Sequence, residues 1–181
     1  YLHPRHFEGL AELTFLELSN NFIVELHPKQ FEGLYNLLWL YLSNNYIVEL
    51  HPKQFDGNIK LKTVDLSNNY IVEVHRWQFR GLIGLSILLF RNNHIKHMHS
   101  SQVLVDLTQL HFLDLSYNYL VFFELSITAQ DSTLLEVLSL ANNRLSYFKP
   151  GVFQKMIYLK YLDLSGNIFN EFESVRYFLN S

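Results

Sequence analysis

The sequence predicts an α/β-class solenoid, a curved stack of short parallel strands with an irregular or short-helical return on its outer side. Three observations predict it. The stretch from Leu13 to Asn36 reads LTFLELSNNFIVELHPKQFEGLYN, the next copy begins at Leu37 and a third at Leu61, so the chain repeats itself every 24 residues. Within each copy, apolar residues return at the offsets L-x-x-L-x-L, which mixes a period-2 strand with a longer return. Asparagine, proline and glycine each recur at one fixed offset as well. A period of this size marks supersecondary units that bury their apolar faces only by stacking on one another.

The units begin at Leu13, Leu37, Leu61, Leu85, Leu110, Leu135 and Leu159, after a partial repeat over 1–12, and form one expected domain over 1–181. Those from Leu85 and Leu110 run 25 residues. Alternation puts Leu16 and Leu18 inward and Phe15 and Glu17 outward. Consecutive units then pair in parallel, roughly 4.8 Å apart, and the rest of each unit supplies the long connection that parallel strands need. Tighter packing on the strand side curves the stack and leaves the sheet concave.

Asn21, Asn45, Asn69, Asn93, Asn118, Asn143 and Asn167 stand where the chain leaves the strand. An amide there can donate to carbonyls of the neighbouring turn and accept from a local N–H, so losing an internal rung costs on the order of 1–3 kcal/mol. Their recurrence in every repeat marks them as structural, since a catalytic site does not recur. Phe7, Phe31, Phe55, Phe79 and Phe153, with Val103 standing in once, predict an aromatic spine in the convex half of the core. Pro4, Pro28, Pro52 and Pro150 share one position that suits an extended return. Gly9, Gly33, Gly57 and Gly81 share another just before the next strand. The Leu110 unit departs from the pattern, and its polar stretch Gln130, Asp131, Ser132 and Thr133 reads as a convex bulge, either a binding loop or tolerated drift.

Leu13, Leu16, Leu18, Asn21, Ile23 and Leu26, followed by Phe31 and Leu34, resemble one animal extracellular leucine-rich repeat of the typical 24-residue class. The resemblance covers almost the whole chain and points toward the Toll, chaoptin and insect leucine-rich immune groups. It implies a horseshoe, macromolecular recognition, and an extracellular setting, secreted or as a cell-surface ectodomain. Such domains usually close their ends with cysteine-rich caps, yet this chain has no cysteine, and Tyr1 falls inside a repeat. The expectation is an excerpt of a longer ectodomain.

A chain with 49 % hydrophobic residues and a net charge of −3 is too apolar for disorder and lacks the basic stripe that nucleic acid would want. Its longest apolar run, Leu82 to Phe90, is broken by Gly84 and Ser86 and is too short to span a bilayer. No N-x-S/T sequon occurs, which weighs mildly against secretion. The expected partner is therefore a protein ligand or partner chain, including a homo- or heterodimer. Nucleic acid, membrane contact, cofactor and metal are not expected.

Function is sought among the residues that stacking leaves free. The central outward positions of the strands read Phe15, Trp39, Thr63, Ile87, Phe112, Val137 and Tyr161, and their neighbours Glu17, Tyr41, Asp65, Leu89, Asp114, Ser139 and Asp163. These make an apolar ribbon lined by carboxylates. β-branched and aromatic residues favour strands anyway. Clustering of Leu38, Trp39 and Tyr41, with Ile87 and Leu89 nearby, points beyond that to a protein-binding concave face, whose carboxylates select a partner with basic groups.

Two further files run along the stack. His27, His51, His75 and His99, preceded by His3 and by Glu25, Glu49 and Glu73 two residues upstream of three of them, form a possible pH-sensitive row, or else copies of an exposed residue carried by duplication. A metal site from His97, His99 and a stacked neighbour lacks a converging ligand set. Phe22, Tyr46, Tyr70, His94 and Tyr119 lie beside the asparagines, where they either shield the turn or offer a lateral dimer surface. No P-loop, G-x-S-x-G, H-E-x-x-H or calcium-loop pattern occurs, and Asp65, Asp114 and Asp163 lie on separate rungs of an open face, so an enzyme is not expected. Receptor function predicts a soluble ligand on the concave ribbon. Adhesion or a structural role predicts self-association through flank or convex residues such as Tyr46 and Tyr70.

Overall fold

The structure, a computed structural model, describes residues 2–98, 103–124 and 134–170. Each repeat enters the sheet as a three-residue strand: β1 (Phe15–Glu17), β2 (Trp39–Tyr41), β3 (Thr63–Asp65), β5 (Ile87–Leu89), β7 (Phe112–Asp114), β8 (Val137–Ser139) and β9 (Tyr161–Asp163). They pair in parallel in that order, with no slip of register. Phe15 stands opposite Trp39, Trp39 opposite Thr63, and so on to Val137 opposite Tyr161. Two-residue strands β4 (Glu73–Val74) and β6 (His97–Met98) pair in parallel on the descending flank. The fold is a leucine-rich-repeat-type solenoid of parallel strands.

The inward leucines define the core. Leu37, Leu40, Leu42, Leu61, Val64, Leu66, Leu85, Leu88, Leu113, Leu138 and Leu140 are fully buried between adjacent coils. Leu162 on β9 is 38 % exposed, because an inward side chain is sealed only where a neighbouring coil covers it. The spine forms as expected from Phe7 through Phe31 and Phe55 to Phe79, the rings lying near-parallel at 6.5, 6.3 and 5.8 Å. Phe90 then meets Phe79 edge-on, and buried Val103 takes the following place. Ring spacings wider than the roughly 4.8 Å between strands fan the coils apart on the spine side and leave the sheet concave.

The convex return is built from turns, and no helix occurs among the described residues, so the short-helical part of the expectation does not hold there. Consecutive i→i+3 backbone bonds such as Gln30 N–H to His27 O and Leu34 N–H to Phe31 O close single turns, and Gly33 follows at φ 88°. A residue in the left-handed region every 24 residues interrupts any longer helix. The Gln130–Thr133 bulge lies outside the described residues.

The asparagine ladder is more far-reaching than a local cap. Asn69 donates from Nδ2 to Leu66 O and Ser67 O of its own turn and to Leu42 O one coil back, while its Oδ1 accepts from Ile47 N–H of that preceding coil at 3.0 Å. The accepted N–H is thus inter-coil, where a local one was expected. Asn45, Asn93, Asn118 and Asn143 repeat the pattern and are buried; Asn21 bonds only its own turn and is exposed. The residue just before each rung is left-handed, at φ 53–58° in Asn20, Asn44, Asn68, Asn92 and Asn142 and in Tyr117, and at φ 67° in Gly166 before Asn167. Asparagine tolerates that region better than most side chains, which gives the Asn-Asn doublets a second physical reason.

Candidate concave recognition face

Strand pleating turns Phe15, Trp39, Ile87, Phe112, Val137 and Tyr161 to the concave side in one register-matched row. Phe15 is 50 % exposed, Trp39 38 % and Tyr161 54 %, whereas Ile87, Phe112 and Val137 are half-buried. Thr63 occupies the same row but is buried, since its short side chain sits between the larger Trp39 and Ile87. In the adjoining row Tyr41 packs its ring 5.4 Å from Phe15, with the planes tilted by 44°. Phe15 and Tyr41 are thus in ring contact, and Trp39 stands opposite Phe15 on the neighbouring strand, which groups three aromatic side chains over β1 and β2. Leu38 precedes β2 and is half-buried, and its carbonyl accepts from Lys62 and Thr63 N–H, so it belongs to the sheet's lead-in more than to the exposed cluster.

The carboxylates have a structural task that the sequence reading did not foresee. Asp65, Asp114 and Asp163 each accept the N–H two residues on, from Ser67, Ser116 and Ser165 at 2.9, 2.8 and 3.0 Å, and Glu17 does the same for Ser19 at 2.8 Å. They terminate the strand by satisfying an N–H that the ladder leaves free. The Ser165 hydroxyl, at 2.7 Å, and then its N–H hold the Asp163 carboxyl below the usual carboxylate range. On the sheet's leading edge Glu136 pairs with Lys160 at 2.8 Å, and that hydrogen bond lowers the pKa of Glu136. This inter-coil pair was missed, although Glu and Lys at one offset of adjacent repeats were legible as a pair.

The histidine file is likewise tied to the turns. His27 and His51 accept Lys29 and Lys53 N–H on Nδ1 at 3.1 and 3.2 Å, while His75 faces Glu73 at 3.4 Å. His99 lies outside the described residues. Buried Gln30, Gln54 and Gln78 reach back one coil to His3 O, His27 O and His51 O and form a second polar ladder that the sequence reading passed over. Its signal was a glutamine before the spine phenylalanine in three successive copies. Among the described residues no group of His, Cys, Asp and Glu is placed to hold a metal ion, and no helix is long and apolar enough to cross a membrane.

The flank file forms a continuous stack. Phe22, Tyr46, Tyr70 and His94 lie within 13° of parallel at 5.9, 5.7 and 5.3 Å, followed by Tyr119 at 5.5 Å, over which the Arg144 guanidinium sits at 4.7 Å. A groove of about 520 Å³ runs between these rings and the asparagines. The concave face, in contrast, offers a broad surface that suits a macromolecular contact more than an enclosed small ligand.

This architecture defines an open repeat scaffold for protein interaction. A leucine-rich repeat model matches residues 11–69, 59–120 and 128–174, and the chain belongs to the leucine-rich repeat family. Among solved structures it is similar to the leucine-rich repeat domain of APL1B (TM-score 0.81, 23 % identity, covering 94 % of this chain and 48 % of that one). It is also similar to TLR13 in its complex with ssRNA13 (TM-score 0.78, 31 % identity, 88 % and 23 %). A third similarity is to the LRIM1/APL1C complex (TM-score 0.71, 24 % identity, 91 % and 33 %). The chain thus spans about half of the first of these and less of the others. No curated protein matches it.

Proposed function

We propose that the chain is a non-enzymatic recognition module of an extracellular receptor or secreted recognition protein, and that its concave face binds a protein ligand. The observation that carries the reading is the aromatic group of Phe15, Trp39 and Tyr41, the first two exposed and the third half-buried, seated on a parallel sheet. Trp and Tyr concentrate binding energy when a partner seals them from water, and a contiguous apolar patch normally has such a partner. Ile87, Leu89, Phe112 and Tyr161 extend the footprint along the sheet. The carboxylates Glu17, Asp65, Asp114 and Asp163 rim it, each with one oxygen committed to its strand exit, and present negative charge to a basic group on the ligand.

Trp39→Ala with Tyr41→Ala tests it. Neither side chain is in the buried core, so the variant folds with an unchanged circular dichroism spectrum, and its affinity for a protein ligand drops by about 2 kcal/mol or more. A folded variant that keeps full affinity refutes the concave reading. A second reading, self-association of an adhesion or structural protein, is favoured by the flank stack, where Phe22 is 84 % exposed and Tyr46 and Tyr70 remain nearly half-exposed. Sedimentation separates the two, since concentration-dependent dimers that Tyr46→Ala and Tyr70→Ala abolish support the second.

A further inference from the structure

The first full returns read H-P-K-Q-F-E-G from His27 and H-P-K-Q-F-D-G from His51, but the third reads H-R-W-Q-F-R-G from His75. Gln78 and Phe79, which point into the core, are retained, as is Gly81, which holds φ 78°. All three changed positions face outward: Pro52 gives way to Arg76, Lys53 to Trp77 and Asp56 to Arg80. Stacking therefore did not demand the changes. They remove an acid, add two guanidiniums and expose an indole on one turn of the convex side.

The geometry makes these three residues a unit. The Arg76 guanidinium carbon lies 5.0 Å from the centroid of the Trp77 ring and that of Arg80 lies 5.6 Å from it, both in cation–π range. Trp77 is 42 % exposed and both arginines are exposed. Elsewhere on the molecule Arg5, Lys29, Lys149 and Lys160 each hold a carboxylate, but among the described residues Arg76 and Arg80 pair with none. Lys53, in the place of Trp77 one coil back, is exposed beside them. Glu73, three residues before Arg76, faces His75 at 3.4 Å; of the other acids, Asp56 takes the place of Arg80 one coil back and Asp106 Oδ2 accepts from Gly81 N–H at 3.2 Å. Among the described residues none of the three forms an ion pair with the two arginines. The spine rings beneath Lys53 and Trp77 are 5.8 Å apart, so the cations follow the solenoid axis in steps of that order.

We propose that Arg76, Trp77 and Arg80, with Lys53, form a convex-face site for the sulfate groups of an acidic glycan chain. A guanidinium laid on an aromatic ring keeps its N–H fork free for an oxyanion, and two of them fixed on one ring present two forks with little entropy left to lose. A linear polyanion with closely spaced sulfates matches a row of cations along the axis. The ring is already engaged by two cations, so it organises charge and is poorly placed to stack on a nucleobase; this favours a sulfated sugar over a single-stranded nucleic acid. The site shares no residue with the concave face, and the reading stands independently of the protein ligand proposed there.

The chain itself supplies the control. Arg76→Pro, Trp77→Lys and Arg80→Asp together rewrite the turn as its predecessor, a sequence that the same stack already holds one coil back. Heparin oligosaccharide binding to the purified protein, followed by titration calorimetry at low and moderate salt, should weaken by about tenfold or more in this variant, with a shallower salt dependence because two guanidiniums are lost, an aspartate is gained and the one lysine added restores only a single cation. Circular dichroism and urea denaturation serve as folding controls. Unchanged heparin affinity, or no heparin binding by the unaltered protein at low salt, overturns the proposal. So does tighter binding of single-stranded RNA or phosphatidylserine vesicles through the same residues, since either would name a different occupant.

Discussion

Replacing Asn69 by alanine tests the inter-coil ladder most directly, because the structure makes the losses unequal. Four bonds vanish: three from Nδ2 to Leu42, Leu66 and Ser67 carbonyls and one to Oδ1 from Ile47 N–H. Each carbonyl keeps a second donor, since Asn45 still serves Leu42 O, Asn93 serves Leu66 O, and the Asn44 N–H serves Ser67 O. The Ile47 N–H has no other partner among the described residues, and Ile47 is fully buried. Stranding that donor costs about 1–3 kcal/mol and weakening three shared carbonyls adds about 1 more, so roughly 2–4 kcal/mol is expected. Asn21→Ala is the control: that side chain is exposed and bonds only Leu18 O and Ser19 O, so its loss should stay within about 0.5 kcal/mol. Asn69→Asp should be worse than alanine near neutral pH, because it sets a carboxylate against three carbonyls. Urea denaturation gives the stabilities, and amide exchange at Ile47 reads the coil locally, as repeat arrays do not always melt in one step. If Asn21→Ala costs as much as Asn69→Ala, or Ile47 stays protected without the amide, the inter-coil account is wrong.

Two further outcomes follow from the same geometry. Tyr117 holds φ 56° where five other coils place asparagine and the last places Gly166, so Tyr117→Asn should relieve about 1–2 kcal/mol of backbone strain, less about 0.5 kcal/mol for the Arg91 guanidinium now 4.3 Å over its ring. A melting temperature that does not rise would show that the tyrosine sits there without cost. Asp163 has a lowered pKa from Ser165, so its stabilising effect is complete above the ordinary carboxylate range, about 4, and fades as pH falls through the folded value. The stability gap between the protein and Asp163→Asn should accordingly shrink below about pH 4, and a gap independent of pH would exclude the Ser165 hydrogen bonds as its source.

Periodicity alone settled which residues face the core, the parallel order of the strands, the asparagine rows and the phenylalanine spine. Each recurs at a fixed offset, and identical units stacked in register have almost no other way to bury that pattern. Tertiary structure decided what a single repeat cannot contain. The Asn69 amide satisfies the coil before its own, Glu17 and the three aspartates spend one oxygen on their strand exits, Thr63 disappears between two larger neighbours, and three outward substitutions on one turn converge on Trp77. These depend on distances between side chains of adjacent coils or across a turn. A linear pattern fixes the offset of such residues but carries no information about which atoms meet.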